Sequence, residues 1–336
     1  MSENISVLGA GSWGIAISNL LCSNGHNVTL WEFNKADYEQ LIGLRSHSKK
    51  LPGITIPDSI HITNDLELAA NSAGIIVLAS PAQTIRSVCI PLNDIIKDQK
   101  YFINLAKGVE IGTLMRMSEI IFECIKSVSP DNIATLSGPS HAEEVSRGVP
   151  TSIVAASVNN DFAERIQQIF SNKFFRVYRS SDVVGVELGG SLKNVVAIAS
   201  GITQGLNYGD NTSGALLTRG LAEISRMGQK LGADPLTFSG LSGIGDLITT
   251  CLSRHSRNRH VGERIGKGEK LNDILDSMVM VAEGVATCKS ANAMAEKYEV
   301  EMPITTEAYK VLFEDKPPDE AVLDLMSRTL KEEIWN

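Results

Sequence analysis

The chain is 336 residues long, 43% apolar and 21% charged, with a formal charge of −8. That length exceeds what one hydrophobic core usually sustains, and the apolar share is enough to fill two. The acidic balance argues against a chain whose business is wrapping nucleic acid or an anionic membrane, and leaves any anion site to a local basic pocket.

Near the N-terminus Ile5-Ser6-Val7-Leu8 reads as a short buried strand that runs into Gly9-Ala10-Gly11-Ser12-Trp13-Gly14. An apolar helical stretch with Ile15, Ala16, Ile17, Leu20 and Leu21 follows. In such a unit the first glycine permits a tight turn, the second admits backbone amides to a pyrophosphate, and the third packs the helix on the strand. The helix N-terminus stabilises the phosphate charge. Glycine turns also occur in folds that bind nothing, so context decides. A second strand, Val28-Thr29-Leu30-Trp31, ends in Glu32, about 20 residues past the glycines, where a carboxylate accepts hydrogen bonds from an adenosine ribose. That charge repels a ribose 2′-phosphate and favours NAD over NADP, while Lys35, three residues on, is placed to attract one.

Further β-rich runs at residues 74–79, 101–105, 132–136 and 152–156 alternate with helical patterns. Continuous apolar strands of this kind suit a Rossmann-like, doubly wound, mostly parallel sheet covered on both faces, here spanning residues 1–186. Residues just after the strands should lie at the carboxyl edge, where open α/β folds bind ligands. These are Ser80-Pro81-Ala82, Ala106-Lys107-Gly108 and Ser137-Gly138-Pro139-Ser140-His141-Ala142. Lys107 suits neutralising a phosphate or polarising a carbonyl oxygen, and equally a solvated turn. Gly138 and Ser140 suit backbone and hydroxyl donation to the same ligand, or an ordinary turn.

Beyond that point strand signals stop. Helical periodicity at about 187–206, 213–231, 258–267, 287–298, 304–313 and 318–332, broken at 206–211, 239–246 and 316–319, reads as an all-helical C-terminal domain of residues 187–336 against the ligand edge. Its first helix carries Lys193 among small and branched apolar residues. A buried ammonium loses hydration, and a lysine brought to ~7 to 8 exchanges protons near neutral pH, whereas a lysine snorkelling from a helix edge does not. Asp246, after a glycine-rich stretch, suits a helix N-cap or the orientation of a substrate hydroxyl or of the lysine. An aspartate beside Lys193 would oppose the effect of burial.

Residues 253–260, Ser-Arg-His-Ser-Arg-Asn-Arg-His, gather three arginines and two histidines. With Ser256 capping a helix from Arg257, free amides, helix dipole and guanidinium would converge on one phosphate; a solvated basic face is the alternative. Without interleaved aromatics, nucleic-acid contact is disfavoured. Cys22, Cys89, Cys124, Cys251 and Cys288 lack the paired spacing of a zinc site, redox dithiol or disulfide framework, so reduced cytosolic thiols and no metal are expected. No apolar stretch approaches the ~20 residues of a membrane helix, so membrane insertion is not expected.

The motifs Gly9-Ala10-Gly11-Ser12-Trp13-Gly14, Leu136-Ser137-Gly138-Pro139-Ser140, Glu187-Leu188-Gly189-Gly190-Ser191-Leu192-Lys193-Asn194-Val195, Gly245-Asp246-Leu247, Ser256-Arg257-Asn258 and Val281-Ala282-Glu283-Gly284, in this order, resemble the soluble NAD(P)-dependent glycerol-3-phosphate dehydrogenase family of bacterial type. The similarity runs from about Ile5 to about Lys331. It implies reversible reduction of dihydroxyacetone phosphate to glycerol 3-phosphate, a cytoplasmic supply of phospholipid backbone. It also implies that Lys193 handles the hydroxyl proton, and that Lys107, Gly138, Ser140, Asp246, Ser256, Arg257 and Asn258 contact substrate. Ser12, Trp13, Ala142, Val281 and Glu283 match cofactor-contacting positions, joined by Lys107 and Arg257. With Gly9, Gly11, Gly14, Glu32 and Phe33, which suits packing on adenine or a plain surface position, they form the expected NAD or NADP site. The long helices suit a homodimer. A related hydroxyacid dehydrogenase acting on another anion would change the phosphate cluster, and a noncatalytic dinucleotide sensor would need neither Lys193 nor Asp246.

Overall fold

β-branched and apolar runs alternate with amphipathic segments through the first half of the chain, and the computed structural model, which describes residues 2–333, turns that alternation into strands and helices. In order come β1 (Asn4–Leu8), α1 (Ser12–Ser23), β2 (Asn27–Trp31), α2 (Lys35–Leu44), a hairpin of β3 (Ser46–His47) and β4 (Leu51–Thr55), β5 (His61–Thr63), α3 (Leu66–Asn71) and β6 (Ile75–Leu78). Then follow α4 (Ile85–Ile95), β7 (Tyr101–Asn104), α5 (Met117–Cys124), β8 (Ile133–Ser137), α6 (Ala142–Val145), β9 (Thr151–Ala156), α7 (Asn160–Phe170) and β10 (Phe175–Ser180).

Eight strands form one sheet in the order β10-β9-β8-β7-β6-β1-β2-β5, parallel throughout except where β9 runs antiparallel to β8. The chain builds outward from β1 through β2 to β5, then returns to pair β6 with β1, Leu8 opposite Leu78. That reversal opens a crevice at the carboxyl ends of β1 and β6. One apolar core packs α1 and α7 on one face, around Ile17, Leu30 and Phe170. A second packs α3, α4 and α5 on the other, around Leu78, Ile85 and Ile120.

The helical half contains α8 (Val183–Gly205), α9 (Asp210–Lys230), α10 (Asp246–Leu252), α11 (Arg257–Gly266), α12 (Leu271–Asp276), α13 (Glu283–Tyr298), α14 (Pro303–Phe313) and α15 (Pro318–Met326). Helix α8 is its axis, with α9, α10, α11, α13 and α14 packed around it. Glycines set the closest crossing: a Cβ at Gly201 would lie 2.0 Å from the Arg259 carbonyl oxygen, and one at Gly262 2.0 Å from that of Ile198. A methyl group at either place would force α8 and α11 apart.

Several expectations need correction. Strand β10 alternates buried Phe175 and Val177 with exposed Arg176 and Tyr178, because an edge strand need not be continuously apolar; β5 has three residues, too few to stand out. Short α10 and α12 lack the length for a periodic signal. The last helix ends at Met326, not 332: Met326 and Leu330 are exposed, so further turns would bury no apolar face there. The 23 residues of α8 do reach the length and hydropathy of a membrane span, contrary to the expectation that no stretch would, but 89% of the most apolar window is buried inside the protein. It is a core helix between two packed layers. The last three residues of the expected 187–336 segment lie outside the described residues.

Candidate active site

At the end of β1, Gly9 takes φ +117°, a left-handed value, and its N–H donates to Trp31 O at 3.0 Å. A Cβ there would strike Ser80 N at 2.8 Å, and one on Gly14 would come within 1.8 Å of Gly9 O. A Cβ at Gly11, by contrast, would meet nothing within 4 Å. Helix α1 has no side-chain cap, and its first bond runs from Ile15 N–H to Gly11 O at 3.0 Å, so the preceding amides remain for an anion. The open space at Gly11 and the uncapped helix end fit a dinucleotide pyrophosphate.

Around this turn, the Ser12 hydroxyl lies 2.5 Å from Lys50 O and 2.9 Å from Met280 Sδ. Trp13 packs on the core, and Ala142 is buried in the first turn of α6. Glu32 Oε1 accepts the Asn34 N–H at 2.9 Å, and Oε2 accepts Lys50 Nζ at 3.2 Å. Phe33 is 82% exposed, its ring 6.2 Å from that of Trp31, and Lys35 is exposed at the start of α2. From the helical half, Glu283 Oε1 accepts the Ala82 N–H at 3.0 Å. Its Oε2 is buried without a partner; burial pushes this carboxyl up, against the Ala82 N–H and Arg257.

The chemistry-bearing groups meet where α8 and α10 cover the sheet edge. Asp246, on the first turn of α10 and 2% exposed, takes Lys193 Nζ on Oδ1 at 2.7 Å and Lys107 Nζ on Oδ2 at 2.8 Å. Lys193, 5% exposed on α8, also donates to Thr250 Oγ1; Lys107 also donates to Gly138 O at 2.9 Å. Each ammonium has three donors, so each keeps one for a further acceptor. Burial pushes Lys193 down to about 8; Asp246 resists that fall and Lys107 adds to it. Burial raises the Asp246 carboxyl, yet the charges of Lys107 and Lys193 hold it below the usual range. Burial and the same two lysines depress His141, whose Nε2 is buried without a partner.

The basic cluster of residues 253–260 does not converge as a whole. Ser256 caps α11, its hydroxyl accepting the Arg259 N–H at 3.2 Å. Arg259 turns inward, donating to Ser253 O at 3.0 Å and pairing with Glu263 at 3.1 Å. Exposed Arg257 donates through Nη1 to Val281 O at 3.0 Å and makes no other hydrogen bond among the described residues. Asn258 links the parts: its Nδ2 donates to Asn194 Oδ1 and its Oδ1 accepts the Gly284 N–H, both at 2.9 Å. Ser140 Oγ and Lys107 Nζ both donate to Gly138 O, each at 2.9 Å, which gathers these three positions at the crevice. Sequence reasoning gave no site role to Thr250, Asn194 or Lys50. The four-residue spacing from Asp246 to Thr250, one face of a helix, was the available signal for the first.

A glycine turn at the reversal of a parallel sheet, faced by a buried lysine-aspartate-lysine bridge, is the architecture of a nicotinamide-dependent dehydrogenase. Family models described as the NAD-dependent glycerol-3-phosphate dehydrogenase N-terminus and C-terminus match residues 4–163 and 182–323. A glycerol-3-phosphate dehydrogenase [NAD(P)+] of Prosthecochloris aestuarii is 50% identical over 330 residues, 98% of this chain and 99% of the relative. One from Lysinibacillus sphaericus is 50% identical over 332 residues, 99% and 98% of the two chains. The crystal structure of glycerol-3-phosphate dehydrogenase from Coxiella burnetii superposes with a TM-score of 0.93 at 32% identity, covering 97% of this chain and 99% of that one. The chain belongs to the NAD-dependent glycerol-3-phosphate dehydrogenase family.

Proposed function

We propose that this chain is an NAD(P)-dependent glycerol-3-phosphate dehydrogenase, interconverting dihydroxyacetone phosphate and glycerol 3-phosphate, and that Lys193 moves the hydroxyl proton. The observation that carries the role is the Asp246 carboxylate shared by Lys193 and Lys107, which leaves one N–H on each ammonium beside the crevice. A bound nicotinamide supplies or accepts the hydride. Lys193 gives its proton to the oxygen of the reduced carbonyl and recovers it in the reverse direction; at about 8 its affinity suits both. Lys107 steadies the developing negative charge on that oxygen. Asp246 and Thr250 fix the Lys193 ammonium, and the close packing of α8 excludes water from it.

Arg257 receives the substrate phosphate together with the first amides of α11. Its open guanidinium supports this, and beside it Ser256 and Asn258 each keep a donor for the substrate, the Ser256 hydroxyl accepting only the Arg259 N–H among the described residues and Asn258 Nδ2 giving one hydrogen to Asn194. The glycine turn, Ala142 and Glu283 line the dinucleotide crevice. The five cysteines are unpaired, in keeping with the cytoplasmic setting we assign, and we set the division of labour near residue 186, in the first turn of α8 just after the last strand. Purified protein should oxidise NADH when given dihydroxyacetone phosphate. Lys193→Ala should lower kcat by ~10² or more while NAD+ binding stays within about threefold; full turnover in that variant rejects the role.

A further inference from the structure

We propose that Lys50 is the residue through which this chain accepts the 2′-phosphate of NADP, its ammonium resting on Glu32 and Asp37 when the ribose carries no phosphate. This rests on the dinucleotide reading above and adds the determinant of coenzyme choice. From sequence, Glu32 opposes a 2′-phosphate and Lys35 is its nearest cationic rival. The structure gives Glu32 a different counter-charge. Lys50, in the turn between β3 and β4, lies 3.2 Å from Glu32 Oε2 and 2.7 Å from Asp37 Oδ2. Glu32 Oε1 already holds the Asn34 N–H at 2.9 Å, so Oε2 is the oxygen that a ribose hydroxyl and Lys50 would share.

The lysine is held at this spot from behind. The Ser12 hydroxyl donates to Lys50 O at 2.5 Å, tying it to the glycine turn, and the Lys50 N–H donates to His47 Nδ1 at 3.1 Å. His47 in turn lies 3.2 Å from Asp37 Oδ1, the other oxygen of the carboxylate that Lys50 uses. With two of its three donors engaged, the ammonium keeps one, and its flexible stem lets it leave a carboxylate for a stronger anion. A 2′-phosphate beside Glu32 Oε2 would carry between one and two negative charges, at the only position where a half-buried cation and the acid meet among the described residues of this loop. The ion pair thus makes Glu32 selective for NAD without making the site closed to NADP.

Titration calorimetry with NAD+ and NADP+ tests this without turnover. Lys50→Ala should weaken NADP+ by at least about tenfold, the loss expected for one charge-assisted hydrogen bond, and NAD+ by less than about threefold. Lys50→Arg should preserve NADP+ binding, and Glu32→Gln should shift the ratio toward NADP+. Equal weakening of both coenzymes by Lys50→Ala would reduce Lys50 to a prop for the hairpin and overturn the proposal, as would unchanged NADP+ affinity or a wild type that binds no NADP+. A wild type that binds both coenzymes with the expected Lys50 dependence, yet does not reduce dihydroxyacetone phosphate, overturns the proposed reaction and leaves this assignment supported.

Discussion

Replacing Asp246 by asparagine removes the anion that Lys193 and Lys107 share at 2.7 and 2.8 Å while keeping the volume of the side chain. Burial depresses Lys193 to about 8, and the Asp246 charge resists that fall. A contacting opposite charge commonly shifts a pKa by about one to three units, so Asp246→Asn should bring the Lys193 step from about 8 to between roughly 5 and 7. The sign follows from the reaction. Ketone reduction consumes a proton and needs the ammonium, so its kcat/KM is flat below the step and falls above it. Alcohol oxidation needs the free amine and rises through the same step. The variant should therefore lose reduction at neutral pH while both limbs move to acid. The assay is NADH absorbance across a pH series in each direction, read as kcat/KM, which reports the free enzyme. The substrate phosphate has its own step near about 6, common to both enzymes and removed by their ratio. A variant whose limbs keep the wild-type midpoint, however low its plateau, would refute the coupling of Asp246 to Lys193.

Arg257→Ala should raise the KM for dihydroxyacetone phosphate by about ten- to a hundredfold with little change in kcat, the loss of one charge-assisted contact made equally in ground and transition states; an unchanged KM moves the phosphate elsewhere. Glu223, on α9, is buried and accepts the N–H groups of Ile304 at 2.5 Å and Thr305 at 3.1 Å, at the start of α14. Burial pushes it up to about 7, so the folded state holds its proton more tightly than the unfolded chain. Its contribution to stability is complete below about 4.5 and is lost as pH rises from there through about 7, by roughly 3 kcal/mol in all. The fall in urea midpoint between about pH 4.5 and about pH 8 should shrink in Glu223→Gln, and an equal fall in both proteins would contradict it.

Much of this was legible because the signals are local. The glycine turn, the apolar strands β1, β2, β6, β7 and β8, and the long periodic helices each satisfy a rule within one short window of sequence. Lys193 declared itself in the same way, as a lone cation in an apolar helix. What escaped depends on distant partners. Lys50 is a surface lysine by any local rule, and only the return of the β3-β4 hairpin over β2 puts it on Glu32. Thr250 needs α10 to exist, and α10 is too short to show its period. The 253–260 cluster misled in part because Arg259 serves Glu263 and the Ser253 carbonyl, a division of roles that composition does not encode. The partner hydroxyl of Lys193 and the split of the basic cluster are properties of packing.

The same packing explains how a lysine can sit at about 8 without simply swinging out to water. Six positions before Lys193 on α8, Glu187 is buried and accepts Arg116 Nη1 at 2.7 Å, the Ser118 N–H at 2.9 Å and the Ser118 and Thr135 hydroxyls at 2.6 and 3.1 Å, which bolts the helix to α5 and β8. One position after it, Asn194 Nδ2 reaches Lys107 O at 3.4 Å while its Oδ1 takes Asn258 from α11. Between these anchors, Gly190 lets α8 approach the sheet so closely that a Cβ would lie 2.4 Å from Ser137 Oγ. Rotating α8 enough to expose Lys193 would break charge-assisted bonds at Glu187 and neutral amide bonds at Asn194, and each buried partner left unsatisfied costs about 1–3 kcal/mol. Helix and sheet therefore hold the ammonium in the dry joint between them, and the depressed proton affinity is a consequence of how the two halves are fastened together.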